Sequence, residues 1–189
     1  MMIDNKDVEF MESYVKEEDS LREKVIADSR IILKNSKSAI YSIHRKEYDE
    51  ARKLTELSSK AIKDMESILK KHPHIKISAE NALQEYVEAA LLLGFVNGKI
   101  PSSRELEVDP FTYLCSLSDL TGELARRSVI EATAKNVSDV QKIKDTIEEI
   151  HGIMIRFDLR NGDLRKKSDA IKWNLNKVEE LLYDLKKKD

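Results

Sequence analysis

Residues 1–72 contain neither glycine nor proline. A run of that length without a chain breaker, 36% charged over the whole chain, is what long helices with solvated faces require. The apolar residues agree. Val25-Ile26, Ile32-Leu33 and Ala39-Ile40 recur every seven residues, a broad stripe down one helical face. Leu164, Ile171, Leu175, Val178, Leu182 and Leu185 recur at helical steps near the other end. No strand alternation competes, and aromatics are only 6%, so a sandwich or barrel is excluded. The fold class is all-α, a single helical domain over 1–189 built from antiparallel helices with short loops. Stripes this wide also imply burial against a second copy, so an oligomer is expected.

The breakers place the helices near 5–45, 47–71, 78–96, 110–135, 138–159 and 163–187. His72-Pro73-His74 reads as a plain loop, with contact to RNA or a metal as the alternative, and Asn97-Gly98 with Pro101 bounds a connector. Asp109-Pro110 is a helix start, with an N-cap acid and proline in the first turn. Ser138 with Gln141, and Ser20 with Glu23, read as capping boxes, the second a point where the first helix can restart. Asn161-Gly162 reads as the end of the fifth helix. The junction from Arg45 to Tyr48 carries no break signal, so one very long helix remains open there.

A formal net charge of −2 gives no global attraction to nucleic acid or membrane, so any basic surface is local. The lone Cys115 excludes an intrachain disulfide framework and fits a reducing cytoplasm as a small core residue. The N-terminus lacks the apolar run of a signal peptide, and no segment approaches a membrane span.

Four acids carry the chemistry. Glu85 and Glu88 lie in Gln-Glu-Tyr-Val-Glu-Ala; Asp119 and Glu123 lie in Ser-Asp-Leu-Thr-Gly-Glu-Leu. Spacing alone means little, since 35 acids in 189 residues give roughly 13 such pairs by chance. Their setting is the most apolar part of the chain. If the two helices touch, four carboxylates converge, and they must be protonated, paired with cations such as Arg126 and Arg127, or bound to metal. An all-oxygen set suits Mg²⁺ or Mn²⁺, which can lower a water's pKa and neutralise charge at a phosphodiester. Gly122 inside the second motif suggests a close approach by backbone or ligand.

Arg30, Lys34, Lys37, Tyr41, Arg45 and Tyr48 form a stripe about 80° wide on the first helix, adjoined by His44. Cations interleaved with tyrosines can track a phosphate backbone and stack bases; a solvated helix face has the same composition. Arg165-Lys166-Lys167 opens the last helix against the macrodipole, which points to a functional reason, whereas Lys186-Lys187-Lys188 suits a helix C-terminus. Glu148-x-x-His151 lacks the second such element that a di-iron bundle needs. There is no P-loop, dinucleotide motif or nucleophile elbow.

At these residues the chain resembles the translin family. Gln84 to Ala89 and Asp119 to Leu124 are similar to the two acidic motifs of its translin-associated factor X branch, and Asp109 to Leu114 fits the pattern just upstream. Leu164 to Lys167 and Lys177 to Leu185 are closer to the translin branch, and Ser29 to Arg45 is more loosely similar to the first. The resemblance implies seven helices, a barrel-like octamer, binding of single-stranded RNA or DNA, and Mg²⁺- or Mn²⁺-dependent endoribonuclease activity inside the barrel. It implies Glu85, Glu88 and Asp119 as catalytic metal ligands, with Glu123 as a fourth. Arg30, Lys34, Lys37, His44, Arg45, Arg165, Lys166 and Lys167 would then hold phosphates. The alternative it leaves open is a non-catalytic binder of single-stranded nucleic acid. Six clear helices fall one short of seven, so Pro101 to Glu107 is expected to hold a small extra turn.

Overall fold

The structure, a computed structural model, describes residues 3–187. Met1, Met2, Lys188 and Asp189 lie outside the described residues, the last lysine of the C-terminal triplet among them. Six α-helices follow in chain order: α1 (Asn5–His44), α2 (Tyr48–Lys71), α3 (Glu80–Val96), α4 (Pro110–Thr133), α5 (Val137–Ile155) and α6 (Asp163–Lys187). A short 3-10 helix, Pro73–Ser78, is the seventh. There is no strand among the described residues.

The breaker-free segment becomes two helices. α1 runs 40 residues without a restart at Ser20, because Ser20 is exposed and nothing there competes with the helical ladder. It stops at Arg45, and Lys46 takes φ 64°, a left-handed residue that turns the chain. α2 then folds back on α1, which sets the pair antiparallel. Arg127 of α4 pins this corner: its guanidinium donates to the Ile43 carbonyl at 3.3 Å and the Tyr48 hydroxyl at 3.1 Å, and pairs with Glu131 at 3.1 Å. No periodicity signal announces such a corner, since the hydrophobic pattern is helical on both sides of it.

The apolar stripe behaves as expected. Val25, Ile32 and Ala39 are fully buried, as are Ile171 and Val178 on α6. Each large aliphatic so placed contributes about 1.5–3 kcal/mol relative to exposure. α3 packs against α1, α2 and α4, and α4 against α3, α5 and α6, so these two helices form the centre of the bundle. α3 is accordingly apolar nearly all round, with Ala82, Leu83, Tyr86, Val87, Ala89, Ala90, Leu91, Leu92 and Phe95 buried. Cys115 is buried in the core. No helix among the described residues is long and apolar enough to cross a membrane.

Several local expectations shift. Asp109 caps α4 as expected, accepting from the Thr112 amide at 3.0 Å. α5 instead begins one residue before Ser138, after Asn136, with no side-chain cap, and ends at Ile155, well before Asn161-Gly162. His72-Pro73-His74 is no plain loop: Pro73 starts the 3-10 helix, as its fixed φ favours. Ser103 to Glu107 forms hydrogen-bonded turns but not a helix. The glycine that space demands is Gly94, where an added Cβ would lie 2.4 Å from Pro101 Cδ and 2.6 Å from the Lys99 carbonyl. Gly94→Ala is expected to destabilise by about 1–3 kcal/mol, read from thermal or denaturant unfolding.

Candidate functional site: an acidic cleft between α3, α4 and α6

α3 is the most apolar helix, yet it carries a polar stripe at Asn81, Gln84, Glu85 and Glu88, spaced to one face. α4 presents Ser118, Asp119, Gly122 and Glu123 in the same way, and α6 presents Lys166, Lys167, Ala170 and Asn174. These twelve residues line one open cleft of about 570 Å³. The sequence expectation that the two acidic motifs face each other therefore holds: all four acids border one space.

Their oxygens do not converge on a point. No three of them bring ligand atoms within 4.8 Å of one another. Three of the four are held apart by cations. Lys37 of α1 reaches Glu85 at 3.5 Å, and Lys167 bonds to Asp119 while donating to the Gln84 side-chain Oε1 at 3.1 Å. Glu123 meets His44 Nε2 at 2.5 Å and Arg126 at 3.5 Å. Arg127, the other arginine considered as a partner, turns away to Glu131. Lys167 thus acts as an internal counterion, and a metal ion bound by the acids would have to displace it from Asp119.

Glu88 differs from the other three. Among the described residues it takes part in no ion pair. Burial, then the charges of Asp119, Glu85 and Glu123, push its carboxyl up to about 8, with Lys167 pulling the other way. At neutral pH it therefore carries a proton. Glu123 goes the opposite way: the hydrogen bond to His44 outweighs burial, and with Arg126 it holds this carboxyl below its ordinary range. Two acids of one cleft are driven apart in proton affinity, a division general acid–base chemistry can use. The donor set is all oxygen and a half-buried acid lacks a counter-charge, so its chemistry fits a hard divalent cation.

The basic residues divide. Arg30, Lys34, Lys37 and Arg45 are exposed along α1, and the Arg45 guanidinium stacks on the Tyr41 ring at 5.7 Å. The stripe meets the cleft at Lys37. His44, placed beside that stripe by its sequence position, is instead buried, with its side chain 3% exposed. It lies only about 20° outside the Lys37 edge of the stripe, on the side of buried Ile40, and there it meets Glu123 of α4 and does not face solvent. Its Nδ1 has no hydrogen-bond partner among the described residues. The Arg165-Lys166-Lys167 cluster also splits: Lys166 and Lys167 line the cleft, whereas Arg165 pairs with Asp169 at 3.1 Å beside His151 and Phe157.

Sequence reasoning passed over Asn81, Gln84, Ser118 and Asn174. The signal was present for the first two, since 81, 84, 85 and 88 share one helical face. Asn174 gave none, because its role depends on α6 crossing α4, where its amide donates to Thr121 at 2.9 Å. Gly122 is not forced by a neighbour: an added Cβ would find the Asn174 amide at 3.8 Å, ordinary contact. Gly122→Ala is therefore expected to stabilise by about 1 kcal/mol through helix propensity. The same unfolding measurement as for Gly94→Ala, with the opposite sign, checks it.

A model of the Translin family matches residues 79–188, which include all four acids and the lysines of α6. Protein MJ0175 of Methanocaldococcus jannaschii is 32% identical over 179 residues, 91% of this chain and 79% of that protein. Human translin is 37% identical over 78 residues, 41% of this chain and about a third (34%) of its own length. Among solved structures, the crystal structure of apo-NeC3PO superposes with a TM-score of 0.89 at 33% identity, covering 98% of this chain and 99% of that one. A complex of AfC3PO with duplex RNA superposes with the same TM-score, 0.89, at 20% identity over 95% and 96% of the two chains, a likeness of fold.

Proposed function

This chain belongs to the translin family, and from that premise we propose that it is a divalent-metal-dependent endoribonuclease whose cleft binds and cuts RNA. The observation that carries the proposal is the placement of Glu85, Glu88, Asp119 and Glu123 around one open cleft with lysines at its border. The duplex RNA bound by AfC3PO supports RNA as the ligand class, and single-stranded RNA is our proposed substrate, with single-stranded DNA as a further ligand.

Glu85, Glu88, Asp119 and Glu123 would hold Mg²⁺ or Mn²⁺. Such an ion supplies Lewis acidity and neutralises charge that develops on a scissile phosphodiester. The chain's own residues do the rest. Glu88, the acid of the four that takes part in no ion pair among the described residues, holds a proton at neutral pH and in its ionised form would be available to the metal or as a base. His44 fixes the rotamer and ionised state of Glu123. Lys167, which bonds to Asp119, and Lys166 beside it would offer charge to the phosphates flanking the cut. Arg30, Lys34, Lys37 and Arg45 extend that surface along α1, with Tyr41 available for stacking.

The exposed apolar residues Phe10, Met11, Tyr14 and Val15 of α1, with Trp173 and Tyr183 of α6, support assembly into a homo-oligomer, for which we propose the octameric barrel. One observation favours a second reading, a nucleic-acid-binding oligomer without activity: Lys167 already neutralises Asp119, so the acids are accounted for in part without metal. A labelled RNA oligonucleotide incubated with Mg²⁺, Mn²⁺ or EDTA separates the two. Metal-dependent fragments support the nuclease; a shifted but intact band supports the binder.

The stripe has its own test. Replacing Arg30, Lys34 and Lys37 together by alanine removes three phosphate contacts. The slope of log affinity against log salt is expected to fall by about 2, at about 0.7 per contact for a single strand. An unchanged slope returns the stripe to a solvated helix face.

A further inference from the structure

The His72-Pro73-His74 tripeptide takes no part in the acidic cleft, yet it faces the most unusual carboxylate outside it. From Asn5 to Glu17 every residue of α1 is exposed; Glu18 is the first that is buried. Its two oxygens each meet a different imidazole, His72 Nδ1 at 2.5 Å from Oε1 and His74 Nε2 at 2.5 Å from Oε2. The partners are 54 and 56 residues away in sequence, so the tertiary fold builds this cluster. Carboxylate oxygen and both ring nitrogens lie within 4.8 Å of one another, and no other three His, Cys, Asp or Glu residues among those described do so.

No lysine or arginine pairs with Glu18 among the described residues; its only partners are these two rings, which carry charge only when protonated. A carboxylate with its side chain 9% exposed needs either that protonation or a cation between the three groups. Pro73 restrains the backbone between the rings, so they are held facing one acid. Two imidazoles and one carboxylate are the donor set of an open zinc site with a fourth position free for water. Around zinc such donors stand ~3.4 Å apart, and drawing the observed atoms to that spacing needs about 1 Å of side-chain movement. His74, 53% exposed, has room to make it and leaves a path for the ion.

We propose that Glu18, His72 and His74 bind a divalent transition metal, zinc first, and that the ion fastens the exposed N-terminal arm of α1 to the 3-10 helix. Imidazole nitrogen selects zinc, cobalt or copper over magnesium, so the site is chemically distinct from the all-oxygen cleft. It does not depend on the nuclease reading.

The test uses the full chain stripped with EDTA and titrated with Zn²⁺ alone by calorimetry, and with Co²⁺ alone by visible absorption. The expected result is one tight zinc per chain and cobalt bands of a four-coordinate nitrogen–oxygen site. Both persist in Glu85→Gln/Glu88→Gln. His72→Ala/His74→Ala loses the bands, and zinc affinity falls at least about tenfold, the lower edge seen even for outer-shell changes. Glu18→Gln, nearly the same shape, reports the same loss should the histidine variant fail to fold. Absence of tight zinc binding in the wild type overturns the proposal. So does zinc or cobalt binding that survives Glu18→Gln unchanged, or that disappears with the cleft variant instead.

Discussion

Glu88→Ala is expected to lose metal-dependent RNA cleavage by about 10²–10⁴-fold, the range of a positioned acid or base, while RNA binding stays near the wild-type level. The two halves of that expectation have separate physical causes. Glu88 is the one acid of the cleft with no ion pair, so removing it releases no lysine or histidine from another contact. The phosphate contacts we propose come from Lys166, Lys167 and the α1 stripe, none of which pairs with Glu88. Asp119→Ala is a poorer probe, since it also frees the Lys167 ammonium, and Glu123→Ala strands a buried His44. Fragment yield with Mg²⁺, alongside a shift assay in EDTA, measures both quantities. Undiminished cleavage by Glu88→Ala sinks the catalytic assignment.

The second large effect runs the other way. Without metal, Glu88→Gln is expected to be more stable than the wild type at alkaline pH, by roughly 2–4 kcal/mol after allowance for partial solvation. In the folded chain this carboxyl titrates at about 8, against an ordinary value of 4.5. The folded state thus binds the proton more tightly than the unfolded one. Its contribution to stability is complete below about 4.5 and is lost as pH rises through about 8. Glutamine keeps the shape without the charge, so the two proteins should match in acid and diverge above neutrality. Denaturant unfolding in EDTA across that range reads the difference. Mg²⁺ should stabilise the wild type by binding the ionised form. Its affinity should fall about tenfold for each pH unit below 8, as the proton competes. A wild type and variant that track each other across the whole range would contradict the upward shift of the Glu88 carboxyl.

Much of the site was legible because helices convert spacing into direction. Glu85 with Glu88, and Asp119 with Glu123, had to share faces once their segments were helical, and their apolar surroundings said those faces turn inward. His44 shows where that reasoning stops. Its place at the edge of the basic stripe left its direction open, and only the side-chain contacts between the end of α1 and α4, His44 with Glu123 and Arg127 with the Ile43 carbonyl, show that it points into the bundle. The Arg165 to Lys167 cluster divides because consecutive helical residues are turned from one another: α6 sets Lys166 and Lys167 at the cleft and sends Arg165 to Asp169. The close approach expected at Gly122 occurs instead at Gly94, which no sequence signal marked, because how closely another backbone approaches is a property of the packing and not of the helix.

By itself the sequence determined the all-α class, the core faces of α1 and α6, the Asp109 cap and the pairing of acids within each helix. These depend on contacts a few residues apart, which period and capping chemistry encode directly. Tertiary structure alone decided that the two acidic faces open on one cleft, that Lys167 and His44 hold two of the four acids, and that Glu18 meets His72 and His74. Those arrangements join residues 31 or more positions apart, Glu88 and Asp119 being the nearest in sequence. Such partners are chosen by how helices cross and rotate against one another, and a chain's local pattern carries no record of that.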